Sequence, residues 1–187
     1  MALITMHKYN QDDFDVFRSL TDDDDVMKYV SGEGLSEEKA KAKFASILHV
    51  NSTQNSLGYF KIYNDQNIFI GDCKLEKYRH DNTLLEIGYI LKKEFWGKGY
   101  GSLICKELLA LAEKTKPGMN IIGNIDPENI ASKRLLEKFG FSSYTTTTID
   151  GMITESLMLT NKSGRNTEFE HAVSHFYHYF THFYQNE

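Results

Sequence analysis

Apolar and polar positions recur along this chain with two different periods, and the changes of period mark out its elements. Leu3 to Tyr9 alternates in part and predicts a strand; Asp12 and Asp13 then suit an N-cap and first turn ahead of a helix carrying Phe14, Phe17 and Leu20. Asp22 to Asp25 predicts the cap of a second helical segment reaching Val30, because carboxylates favour the positive end of a helix. Ser36, Glu37 and Glu38 open a third helix whose stripe is Ala40, Phe44, Ile47 and Leu48, ending near Asn51. Leu57 to Tyr63, Asn67 to Leu75 and Thr83 to Leu91 read as strands parted by polar turns, at Asn64-Asp65-Gln66 and Arg79-His80-Asp81-Asn82, which predicts a three-stranded antiparallel meander.

From Gly101 to Lys116 the period becomes helical, with Leu103, Ile104, Leu108, Leu111 and Ala112 on one face, and Pro117-Gly118 stops it. Met119 to Ile125 is a short apolar run suited to a buried strand, and Asp126-Pro127 is a favourable cap and first-turn pair for the next helix. A strand, a helix and a strand in succession predict parallel pairing. Gly140 and Phe141 supply a left-handed helix stop and an apolar residue that folds back. Thr145 to Ile149 and Ile153 to Leu159, joined by Asp150-Gly151, predict a hairpin with a primed turn. The fold class is α/β in the broad sense (α+β): a mixed, mostly antiparallel sheet flanked by helices.

Beyond Lys162 the composition shifts, so residues 1–162 form the predicted domain and residues 163–187 a tail. Phe169, Val173, Phe176, Phe180 and Phe183 recur at helical spacing, which predicts an extra C-terminal aromatic helix that docks on the body or makes a homodimer. His171, His175, His178 and His182 share an adjacent face, but with no acidic or cysteine partners they favour packing or solvent over a metal. Asp22 to Asp25 likewise reads as a capped turn, and no metal is expected.

Composition narrows the classes. A formal charge of -5 argues against nucleic acid as partner, since backbone phosphate is held by Lys and Arg. Cys73 and Cys105 are far apart and predict two free thiols, and nothing in the chain has the length or character of a membrane span or secretory leader. No membrane partner is expected, and the reading is cytoplasmic.

The most informative stretch runs from the strand Glu86-Ile87-Gly88-Tyr89-Ile90-Leu91 through Lys92-Lys93-Glu94-Phe95 to Trp96-Gly97-Lys98-Gly99-Tyr100-Gly101-Ser102 and a helix. Glycines ahead of a helix let backbone amides close on a ligand, and the helix dipole adds positive potential, so the turn suits a phosphate or pyrophosphate. The turn lacks P-loop spacing, and a preceding meander does not fit a dinucleotide-binding βαβ unit.

These residues, with Asn129-Ile130-Ala131-Ser132 and Glu137-Lys138-Phe139-Gly140-Phe141 following in order, resemble the GNAT superfamily of N-acetyltransferases over roughly residues 3 to 160. Trp96 at the head of the turn is similar to the branch that acetylates ribosomal-protein N-termini. The resemblance implies acetyl transfer from acetyl-CoA to a primary amine (a protein N-terminus, a polyamine or a small-molecule amine) by direct attack in a ternary complex. It implies that amides from Gly97, Lys98, Gly99, Tyr100, Gly101 and Ser102 wrap the coenzyme A pyrophosphate. The main chain of Ile90, Leu91 and Lys92 would pair with pantetheine like an added strand, and Asn129 would touch the cofactor arm.

Removing a proton from the amine needs a base, and Glu86, on the strand beside the turn, is the leading candidate. Amides at Ile90 and Leu91 are expected near the thioester oxygen. Many family members carry a tyrosine four residues before the Gly-Phe pair as general acid; this chain has Leu136 there. Ser132 is the candidate in its place, with Tyr89 and Tyr144 behind it. The missing tyrosine also motivates an alternative, a noncatalytic acyl-CoA-binding or interaction module. The acceptor pocket is expected from the region Asp22 to Leu35, the turn at Arg79 and the final hairpin.

Overall fold

The computed structural model describes residues 3–161, so the predicted aromatic helix, its histidines and any dimer through the tail lie outside the described residues. Seven strands form one sheet: β1 (Ile4–Lys8), β2 (Gly58–Asn64), β3 (Phe69–Lys77), β4 (Leu84–Leu91), β5 (Asn120–Ile125), β6 (Ser142–Ile149) and β7 (Met152–Leu159). Among the described residues five α-helices accompany them: α1 (Phe14–Thr21), α2 (Asp24–Met27), α3 (Glu37–Thr53), α4 (Tyr100–Thr115) and α5 (Ile130–Lys138). The strand order is β1-β2-β3-β4-β5-β7-β6, antiparallel throughout except for the parallel pair β4–β5.

Alternation along the strands divides the core between the two faces. Phe60, Ile62, Cys73, Leu75, Leu85, Ile87 and Leu91 pack with Ile104, Leu108 and Ala112 of α4 and Leu136 of α5. On the other face Tyr9, Phe17, Ala40, Phe44 and Ile47 form a cluster under α1 and α3, with Tyr9, Phe14, Phe17 and Phe44 in edge or tilted ring contacts.

Local chemistry accounts for most boundaries. Asp23 caps α2 by accepting from the Val26 amide, and Ser36 caps α3 by accepting from Lys39. The second helix stops at Met27 rather than Val30, because Val30 and Ser31 N–H both close on the Met27 carbonyl in a turn. The cap of the first helical stretch is Asn10, whose side chain and Asp13 form a reciprocal capping box; Asp12 and Asp13 lie inside a 3-10 turn. Asp126 does not cap α5: it accepts from the Glu128 amide in a local turn, and Asn129 takes the capping role. At the other end, Gly140 (φ 89°) donates to the Glu137 carbonyl and Phe141 to that of Leu136, a Schellman stop. Asp150 and Gly151 both have positive φ between the paired residues Ile149 and Met152, the primed two-residue turn expected there.

Candidate active site

The parallel pairing of β4 with β5 runs only from Leu84↔Asn120 to Ile87↔Gly123. Beyond that point β4 stays on β3 as far as Leu91↔Gly71, while β5 stays on β7 as far as Ile125↔Glu155. The sheet therefore opens between Gly88 and Leu91 on one lip and Asn124 and Ile125 on the other. A cavity of about 670 Å³ occupies the opening, and its lining comes from both faces. Cys105, Leu108, Asn129, Ser132 and Leu136 border it on the α4 and α5 side; Phe17, Tyr59, Asp72, Lys74, Glu76 and Glu86 border it on the other. Tyr29, Val30, Leu35, Arg79, Asp150 and Met152 lie at its rim, from the three segments expected to shape an acceptor pocket. Arg79 and Asp150 pair across that rim at 2.5 Å.

An antiparallel ladder turns alternate residues of β4 toward β3. Lys92 N–H donates to the Ile70 carbonyl, and Leu91 faces Gly71 in a pair without mutual bonds, so Ile90 exchanges its bonds with Asp72. The amides of Ile90 and Lys92 are thus committed to β3, which corrects the expectation that all three residues offer main chain to a ligand. Tyr89 and Leu91 face the opening. The Leu91 carbonyl is taken by Trp96 Nε1 at 2.7 Å, which staples the glycine turn to the end of the strand and leaves the Leu91 N–H.

That turn ends at α4, whose N-terminus differs from those of its neighbours. Gly99 is its N-cap in the left-handed region (φ 85°), with no side-chain cap and no acidic residue in the first turn. Ser102 and Leu103 N–H close on the Gly99 carbonyl, so Ser102 offers a hydroxyl rather than the expected amide. Backbone N–H groups from Gly97 to Gly101 donate to no acceptor among the described residues. Space beside Gly97 and Gly99 is open within 4 Å of where a Cβ would stand. Uncapped amides, a helix dipole and open space together fit a bound pyrophosphate.

Glu86 reaches the other side of the opening. Its Oε1 lies 2.7 Å from Lys74 Nζ and accepts from Asn124 Nδ2 at 3.2 Å, while Asn124 Oδ1 accepts from Ser156. Oε2 accepts no hydrogen bond among the described residues, so one oxygen is anchored and one is available. Ser132 lies in the first turn of α5, its amide bonded to Asn129 Oδ1 at 3.1 Å. The Tyr89 phenol stands near Ser132; burial pushes that phenol up, with the Ser132 side chain pulling the other way. Leu136 is buried against Gly123, where an added Cβ would stand 2.8 Å from Leu136 Cδ1. The glycine of β5 and the leucine of α5 therefore fill one space between them, and the phenol beside Ser132 is that of Tyr89 on β4.

Tyr59, Lys74, Glu76 and Asn124 were not among the residues singled out in the sequence. The signal was the alternation Asp72-x-Lys74-x-Glu76, which puts three charges on one face of β3, but their partners are on neighbouring strands. Burial disfavours the thiolate at both cysteines, pushing Cys105 up to about 11 and Cys73 well above its ordinary value.

Comparison with known proteins gives the family and the fold. A profile of the acetyltransferase (GNAT) domain matches residues 4–142. An uncharacterised N-acetyltransferase of Bacillus subtilis strain 168, YnaD, is 29% identical over 137 residues, covering 73% of this chain and 78% of the relative. A GNAT-family acetyltransferase from Bacillus anthracis has a similar fold, with a TM-score of 0.67 at 23% identity over 83% of this chain and 92% of that one. So does the spermidine N-acetyltransferase of Vibrio cholerae, solved with CoA and spermine: its TM-score is 0.66 at 18% identity, over 83% and 94% of the two chains.

Proposed function

Because the chain belongs to the GNAT acetyltransferases, and so takes its acetyl group from acetyl-CoA, we propose that the opening between β4 and β5 delivers that group to a primary amine by direct attack in a ternary complex. The observation that carries this reading is that the cavity is lined from both faces of the sheet, by Cys105 and Leu108 of α4 with Asn129 and Ser132 of α5 on one face and by Glu86 on the other. Donor and acceptor can then meet from opposite faces. Bound acetyl-CoA supplies an activated acetyl thioester, and everything else falls to the protein.

The amides of Gly97, Lys98, Gly99, Tyr100 and Gly101, with the Ser102 hydroxyl, hold the pyrophosphate. Tyr89 and Leu91 N–H pair with the pantetheine arm, Asn129 contacts it, and the amide nearer the cavity centre orients the acetyl carbonyl. An alkylammonium has a pKa of about 10.4, so the acceptor must lose a proton before it can attack. Glu86 Oε2 takes that proton, directly or through a water, while Lys74 and Asn124 fix Oε1. The Ser132 hydroxyl, on the cavity wall, donates to the departing sulfur. Burial, which pushes Cys105 up to about 11, disfavours this cavity-wall thiol as an acetyl carrier. Two free cysteines and, among the described residues, no helix long and apolar enough to cross a membrane accord with a cytoplasmic enzyme.

Thiol release from acetyl-CoA across a panel of peptides, polyamines and small amines tests the reading. Glu86→Gln should lower kcat by about 10²–10³-fold and Ser132→Ala by about tenfold, both with acetyl-CoA affinity retained, and double-reciprocal plots should intersect. Parallel plots, or unchanged rates in both variants, would refute these assignments.

A further inference from the structure

The Lys74 ammonium occupies a built site on the cavity wall. It lies 3.0 Å from Glu76 Oε1 and 2.7 Å from Glu86 Oε1, and 5.8 Å from the centre of the Tyr59 ring. Tyr59 in turn donates to Glu76 Oε1 at 2.8 Å. All three charged side chains are largely withdrawn from solvent, at 22% exposure for Lys74, 13% for Glu76 and 12% for Glu86. The lysine stem reaches this place across Gly88, its register partner on β4: an added Cβ there would stand 3.2 Å from Lys74 Cε and 3.4 Å from Cγ.

Two carboxylates and an aromatic face are the chemistry that recognises an alkylammonium. Here the ammonium belongs to the protein. Burial alone would lower the Lys74 pKa, but Glu86, Tyr59 and Glu76 together carry it above its ordinary value, so the site is filled by a permanent cation. We propose that Lys74 is a specificity-determining residue: by filling this alkylammonium site it turns away acceptors that carry a second ammonium group beside the reacting amine. A polycation entering the cavity finds Glu76 and Glu86 already neutralised and must bring its extra charge next to a buried ammonium. An acceptor with one amine, deprotonated at Glu86 Oε2, meets no such repulsion. This rests on the cavity being the acceptor's site.

Lys74→Ala removes the stem and the cation and leaves Glu76 directly opposite Glu86, a like-charge pair that destabilises the sheet. Two measurements separate specificity from this structural effect. The first is thermal unfolding with n-butylammonium, which reproduces the lost side chain, and with n-butanol, its uncharged analogue. Butylammonium should raise the melting temperature of Lys74→Ala in a saturable way and leave wild type unmoved, and butanol should do neither. The second is the ratio of kcat/KM for a triamine to that for a monoamine of matched length, which should rise at least tenfold from wild type to Lys74→Ala, whereas Lys74→Arg keeps the wild-type ratio. Equal butylammonium shifts in both proteins, or an unchanged ratio, would overturn the assignment. If Lys74→Ala does not fold, Lys74→Ala combined with Glu76→Gln relieves the carboxylate pair and is expected to show the same two changes. If no amine supports thiol release, amine acetylation fails as a reading while the unfolding measurement still decides the role of Lys74.

Discussion

Asp72 is an ionisable group at the heart of the sheet. It is buried in the middle of β3, with the Tyr9 hydroxyl donating to its Oδ2 at 3.3 Å. Burial pushes its carboxyl up to about 7, against the opposing pull of the Tyr9 bond and of Lys43 and Lys74. The folded protein therefore binds a proton there that the unfolded chain has already released above pH of about 4. Stability from this group is complete below that pH and is lost as pH rises toward about 7, at about 1.4 kcal/mol for each unit crossed. Asp72→Asn, which keeps the volume and a partner for Tyr9, should gain on wild type across that window in denaturant melts, with the gap constant above pH of about 8. A gap that does not change between pH 5 and 8 would refute the assignment. Residues of this kind were hard to see in the sequence. Glu86 stood out beside the glycine turn, whereas Asp72, Lys74 and Glu76 acquire their chemistry from Tyr9, Tyr59 and Glu86, which adjoin them only once the strands are in register.

At the scale of elements, hydrophobic period and capping chemistry were largely sufficient. Within residues 3–161 strands and helices appear where the periods predict them, α2 stopping short of Val30, and Ser36, Gly140 and Asp150-Gly151 act at the boundaries they announce. The misplaced cap of α5 shows the limit: Asp126 and Asn129 are both good caps, and nothing local decides between them until Asp126 is drawn into its turn with Glu128. At α4 the missing cap is itself informative, since a helix N-terminus with no acceptor of its own needs one from outside. Gly99→Ala tests that element. A Cβ at φ 85° costs about 1–2 kcal/mol, so the turn should relax away from its open form. Expected is a rise of at least fivefold in KM for acetyl-CoA with a smaller change in kcat; a KM equal to that of wild type would count against the turn as the pyrophosphate site.

At the scale of the whole molecule the sequence announced a meander, a parallel crossover and a hairpin, yet it did not announce how they join. That β7 rather than β6 lies beside β5, and that β4 and β5 part after four residue pairs, are long-range outcomes of packing. That short junction has a consequence for folding. The block β1–β4 and the block β5–β7 share one brief ladder of hydrogen bonds, so they are natural candidates for separate units of opening. In the binding mode proposed above acetyl-CoA touches both blocks, with its arm on β4 and on Asn129 of α5, the helix that packs on β5. It should therefore act as a cross-link, slowing hydrogen exchange of β5 and β7 amides more than those of β2 and β3. Uniform slowing across all four strands would show instead that the sheet opens as one body. The gap proposed to admit the substrate is thus also the seam along which the protein is expected to come apart.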